Sequence, residues 1–180
     1  MEKKYYKPKY IRNIIIFLLF ITIVSLLSYF IIIRQINYNL GERYYITKLY
    51  PDAIKKLKPL GDYKSSKSLY IRALYKQGLS YYNSYNYLLA LESFKELSII
   101  LPETSALIND TNYMMALQEG INEHYDECII ILTTLSGYEK SNQLIKDANN
   151  KKHESFVIEH RTHVIIYTFK DIVDFYLNNK

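Results

Sequence analysis

Residues 13–33, NIIIFLLFITIVSLLSYFIII, carry no charged side chain and consist overwhelmingly of Ile, Leu, Phe and Val. A segment apolar on every face is no surface helix. In lipid its backbone must satisfy its own hydrogen bonds, which requires an α-helix. At ~1.5 Å per residue, about 20 such residues cross a hydrocarbon core of ~30 Å. Tyr5, Tyr6 and Tyr10 precede the run, and Tyr29 and Phe30 close it, at the positions where aromatic rings anchor in an interface. The run is longer than the ~7–15 apolar residues of a signal peptide, and no A-x-A-like site follows. The expectation is an uncleaved anchor at 13–33 in contact with membrane lipid, behind a basic tail at 1–12.

The net charge of +5 is polarised along the chain. The tail carries +4, residues 34–76 carry +7, residues 77–150 carry −7 and the last thirty carry +1. A uniform basic coat for nucleic acid is excluded, because the basic stretch adjoins the anchor and an acidic one follows. Five basic residues crowd the N-terminal flank, against Arg34, Arg43 and Lys48 close on the other side. The positive-inside rule then places the N-terminus in the cytoplasm and the rest outside the cell membrane. In the reverse arrangement, Lys55, Lys56, Lys58, Lys64 and Lys67 would form a juxtamembrane polybasic surface on cytoplasmic anionic lipid.

Beyond the anchor the chain repeats itself. Tyr50, Tyr87 and Tyr125 are 37 and 38 residues apart. Each is followed at +3 by a small residue (Ala53, Ala90, Cys128), at +7 by a large apolar one (Leu57, Phe94, Leu132) and at +10 by leucine (Leu60, Leu97, Leu135). Those offsets fall on one face of an α-helix. Upstream, Gly41 with Tyr44 and Gly78 with Tyr81 stand at matching distances, and Ala116 takes the glycine's place in the third copy, where Glu119 replaces the tyrosine. Small residues at both places let two antiparallel helices approach closely. Helix, short turn, helix at a near-constant period is the plan of an α-solenoid.

The middle copy resembles a tetratricopeptide repeat, whose pattern opens W-x2-L-G-x2-Y and continues with Ala, Phe and Pro. Leu74, Gln77, Gly78, Tyr81, Ala90, Phe94 and Pro102 stand at its positions, with Gly78 and Tyr81 matching outright. The period exceeds the family's usual ~34 residues, with the extra length after the second helices, in LGDYKSSKSLY and LSGYEKSNQLI. Such junctions look like those of divergent bacterial members of the family. The expected layout is a repeat domain at 34–150, with copies at 36–70, 71–108 and 109–145, and a C-terminal cap at 151–180. The cap is expected to be mainly helical, although SFVIEH and HVIIYTF also suit a hairpin. Gly61 and Gly137 are expected to end second helices in a left-handed conformation, and Ser65 or Ser66, and Ser141, to cap the helices that follow.

Signals for chemistry are sparse. One cysteine, Cys128, excludes an internal disulfide framework, and packing explains its place in the repeat. His160 and His163, near His153, Glu154 and Glu159, fit no established zinc pattern. The five glycines form no phosphate loop, and no serine stands in a nucleophile elbow. The chain is expected to be non-catalytic, with no cofactor, metal or nucleic acid.

The resemblance implies a concave groove, lined by first helices, that takes a protein or peptide partner. The groove residues it implies are Tyr38, Tyr45, Arg72, Tyr75, Leu79, Tyr82, Asn83, Tyr113 and Leu117. The repeat-packing residues are Gly41, Tyr44, Ala53, Gly78, Tyr81, Ala90, Phe94, Ala116, Cys128 and Leu132. For each groove tyrosine, packing between repeats is the competing role, and Tyr85 falls in a connecting turn. The sequence thus reads as an all-α chain: one membrane helix, about three tetratricopeptide-like pairs, and a cap. Its expected role is a scaffold at the cell envelope; an envelope chaperone or a cytoplasmic-facing docking platform are the alternatives.

Overall fold

A computed structural model describes residues 9–135 and 140–162. Within them the chain forms eight α-helices and two short 3-10 turns, with no strand. Helix α1 spans Lys9–Ile46, α2 Tyr50–Leu57, α3 Ser66–Asn83 and α4 Tyr87–Ile100. Helix α5 spans Ser105–Ile121, α6 Tyr125–Thr134, α7 Ser141–Asn149 and α8 His153–Thr162.

The expected border at residue 34 is no break. Nothing between 11 and 40 interrupts a helix, and the apolar run continues directly into the first helix of the first pair. At ~1.5 Å per residue α1 is about 57 Å long, and its apolar part is wholly unburied by the rest of the chain. By length and composition it is the one described helix able to cross a membrane.

The helices pair through one repeated turn. Helix α1 ends with Leu49 N–H donating to Tyr44 O at 2.9 Å and Lys48 N–H to Tyr45 O at 3.1 Å. The same two bonds close α3 (Asn86 to Tyr81, Tyr85 to Tyr82), α5 (His124 to Glu119, Glu123 to Gly120) and α7 (Lys152 to Asp147, Lys151 to Ala148). This is the Schellman pattern, in which the residue after the cap turns left-handed and the last carbonyls are satisfied. Glycine usually serves there, but here the residues are Lys48, Tyr85, Glu123 and Lys151, with φ between 51° and 66°. The next residue starts the partner helix at once, with Leu49, Asn86 and His124 sharing φ near −85° and ψ near 65°.

Four pairs therefore exist among the described residues: α1–α2, α3–α4, α5–α6 and α7–α8. The first three obey the small-residue rule. A Cβ on Gly41 would stand 2.6 Å from Leu57 Cγ, and one on Gly78 would stand 2.7 Å from Phe94 Cδ1. Ala116 and Leu132, at the corresponding places of the third pair, are both buried. In the fourth pair those places hold Leu144, for the glycine, and Phe156, for the small residue of the second helix. Helix α8 packs more along α5 than along α7. There Phe156 is fully buried, its ring filling the space where Gly120 has no Cβ.

The core is one continuous cluster running from Ala53 to Phe156. Pro102–Thr104 forms a 3-10 turn that leads into α5, and Gly61 ends the α2 segment at φ 55°. The expected serine caps are not formed: Ser65 has no capping bond and its hydroxyl instead meets Tyr38 Oη at 2.7 Å. Ser66 bonds back to Tyr63 O, and Ser141 Oγ is buried without a partner among the described residues. The segment SFVIEH is helical, as part of α8, and not a hairpin strand. Gly137 and HVIIYTF lie outside the described residues.

Candidate interaction surface

All turns within pairs lie at one end of the array and the junctions between pairs at the other. The junction end is the one from which the apolar run of α1 departs. There Arg34 Nη2 donates to Leu60 O at 3.1 Å, Tyr63 Oη donates to Gln35 Oε1 at 3.0 Å, and Lys64 also bonds Gln35. The Arg34 guanidinium stands 4.6 Å from the centroid of the Tyr63 ring, and Lys64 Nζ stands 5.6 Å from it. Farther along the same end, Glu96 of α4 accepts from Lys58 and from Tyr70. Burial alone would raise the Glu96 pKa, but the Lys58 and Tyr70 bonds and the Lys58 charge bring it below its ordinary value. Tyr70 is pushed upward by burial first, then by its bond to Glu96 and that group's charge.

The turn end is aromatic. In the first pair Tyr45 and Tyr50 lie 6.1 Å apart, and in the second Tyr82 and Tyr87 meet edge-to-face at 5.5 Å. The third pair has Gly120 where Tyr45 and Tyr82 stand, so it lacks its own first ring. Phe156 supplies it from α8, 6.1 Å from Tyr125. The same ring pair is thus built three times, twice from within the pair and once from outside it.

Around the α3–α4 turn these rings form the most developed surface. Tyr82 Oη donates to buried Asp110 at 2.9 Å, and Tyr87 Oη meets His160 Nε2 at 3.2 Å. Burial, with the charges of Tyr85 and Asp110 behind it, pushes the Tyr87 pKa up to about 12. Tyr85 stacks on the His160 ring at 5.6 Å and remains 63% exposed. Glu159 accepts from Tyr113 at 3.2 Å and pairs with Lys140 at 2.8 Å. Two cavities flank the turn. One, of about 400 Å³, lies between Tyr82, Asn83, Met114 and His160; the other, of about 470 Å³, lies between Leu88, Glu92, Met115 and Gln118. Tyr85 and Tyr87 line both.

The nine groove residues separate by burial. Tyr75, Tyr82, Tyr113 and Leu117 are buried in the core, Tyr82 keeping one edge on the smaller cavity. Tyr38, Tyr45, Arg72 and Leu79 are half-buried, and Asn83 is exposed. Of the packing residues, Gly41, Ala53, Gly78, Ala90, Phe94, Ala116, Cys128 and Leu132 are buried, whereas Tyr44 and Tyr81 are half-buried. Cys128 is enclosed, and burial raises its thiol to about 12, so it is no activated nucleophile. Tyr85 and His160 were not singled out from sequence as surface residues, nor Asp110 as the buried acceptor beneath them. The left-handed turn that projects Tyr85 was visible only as the recurrence of its position at 48, 85 and 123. No described group of three or more His, Cys, Asp or Glu side chains is placed to hold a metal ion. His124 pairs with Glu119 at 2.8 Å, and His163 lies outside the described residues.

No family model, curated protein or solved structure matches the chain.

The geometry offers exposed aromatic area, a polar rim and shallow cavities. Such a surface suits the capture of a protein segment: tyrosine brings large contact area with a polar tip at modest entropic cost.

Proposed function

We propose that this chain is a single-pass membrane protein whose tetratricopeptide-like helix pairs serve as a non-catalytic scaffold for another protein at the cell envelope. The observation that carries this reading is the fourfold recurrence of one Schellman turn, joined without a linker to a helix apolar enough to cross a membrane. Stacked helix pairs gain stability from their neighbours and present extended surfaces, the usual basis of binding in such arrays. The contact surface centres on Tyr85, Asn83 and the two cavities beside them, at the end away from the apolar run. The N-terminal tail is cytoplasmic and the pairs lie outside, following the basic flank of 1–12.

Crosslinking in intact membranes, followed by pull-down of the full chain, tests the scaffold role. One or two recurrent partners are expected, lost with Tyr85→Ala and His160→Ala while the helical circular-dichroism signal is kept. Capture of many unfolded clients would favour the chaperone reading instead. Protease added to intact cells should remove the pairs; complete protection would reverse the orientation.

A further inference from the structure

We propose that Arg34 and Lys64, gathered around the ring of Tyr63, clasp the phosphate of an anionic lipid headgroup in the bilayer that holds α1. The proposal rests on the reading of α1 as a membrane-spanning helix. Arg34 is the first charged residue after the apolar run. Residues 34–38 rise only about 2–8 Å beyond it along the helix, which is headgroup depth, since a bilayer of ~40–45 Å encloses a core of ~30 Å. The α2–α3 junction is bound to α1 at that level, through Arg34 to Leu60, Tyr63 to Gln35 and Tyr38 to Ser65.

Two cations held beside one ring repel each other, and an anion shared between them offsets that repulsion. Their neighbours have such partners: Lys58 pairs with Glu96, and Lys67 stands 3.6 Å from Asp62. No described carboxylate pairs with Arg34 or Lys64. Both are oriented in advance, Lys64 by Gln35 and the rings of Tyr38 and Tyr63, Arg34 by Leu60 O and the rings of Phe30 and Tyr63. A guanidinium has five N–H donors and an ammonium three, so most remain for phosphate oxygens. An anion at headgroup depth would engage these remaining donors, and the bilayer supplies one.

The test uses the full chain in vesicles of phosphatidylcholine, with or without added phosphatidylglycerol, at low ionic strength. Hydrogen exchange of amides 58–66 is read in each. The anionic lipid should slow exchange about tenfold, at roughly a few-fold per juxtamembrane cation. Arg34→Gln with Lys64→Gln should abolish the slowing, and Lys64→Arg should keep it. If the double variant loses its helical signal, Lys64→Met against Lys64→Arg carries the comparison. Equal exchange in both lipids overturns the clasp, as does slowing that survives the substitutions. So does equal slowing by inorganic phosphate over neutral vesicles, which would make the ligand a free anion. Alkaline carbonate separates the two readings: extraction of the chain overturns anchor and clasp together, whereas retention without lipid dependence overturns the clasp alone.

Discussion

The ring of Phe156 occupies the space that a side chain at position 120 would need, so a residue of the last described helix completes the third helix pair. Tyr45 and Tyr82 stand at that place in the first two pairs. Helix α8 is thereby fastened to α5 more than to its own partner, α7. Phe156→Ala should cost about 3–5 kcal/mol, the range for emptying a buried aromatic site. Adding Gly120→Tyr should recover part of that loss by rebuilding the ring from within the pair. Thermal unfolding of the full chain in detergent measures both; a double variant no more stable than the single one refutes the equivalence.

The four left-handed turn residues offer a gain. Each non-glycine side chain there carries a steric cost of roughly 1–2 kcal/mol, partly offset by the greater freedom of glycine in the unfolded chain. Glu123→Gly and Lys48→Gly should each raise stability by about 0.5–1 kcal/mol, seen as a higher denaturant midpoint. Lys48→Val, β-branched at positive φ, should lower it.

Tyr82 is a structural tyrosine with a buried acceptor. Tyr82→Phe removes the donor to Asp110 and should destabilise the fold by about 1–3 kcal/mol, as expected when a buried polar group loses a partner. Tyr85→Phe, at an exposed ring, should leave stability within about 0.5 kcal/mol of the parent. The two midpoints, measured side by side, check the division of labour between adjacent tyrosines.

Stability should fall at both ends of the pH scale. Glu96 has a folded pKa below its ordinary 4.5, so its contribution is present above that value and lost as pH falls through the folded one. Tyr87 and Cys128 have folded values of about 12 against ordinary values of 10.0 and 9.0. Their contributions are complete below the ordinary values and disappear as pH climbs from about 9 toward 12. Unfolding midpoints taken across pH, with Glu96→Gln flattening the acid limb and Cys128→Ser the alkaline one, test the assignment.

Much of this fold was legible because the constraint was local and repeated. Tyr50, Tyr87 and Tyr125, with a small residue three places on, mark the second helices of the first three pairs, and Gly41 and Gly78 mark close approach. What escaped depended on exceptions. Leu144 and Phe156 break the small-residue rule together, and α8 lies along α5. Serines 65, 66 and 141 looked like caps, yet at the α2–α3 junction Ser65 is drawn to Tyr38 and Ser66 to the carbonyl of Tyr63. The tyrosines assigned to the groove were the hardest to place, because Tyr75 and Tyr113 lie on helices packed on several sides and are buried there. Tyr85 was passed over as a turn residue, although the turn's geometry is what lifts it into solvent.

The unbroken course of α1 fixes an azimuth. With no hinge between 33 and 46, the direction in which Tyr85 faces is set by the helical phase of the apolar run, at about 100° per residue. Inserting one alanine near residue 36 would swing the whole aromatic face by roughly a quarter turn. Inserting a full turn of residues would restore its bearing while lifting it farther from the run. Compass heading and height are thus written into one helix, and they can be altered separately.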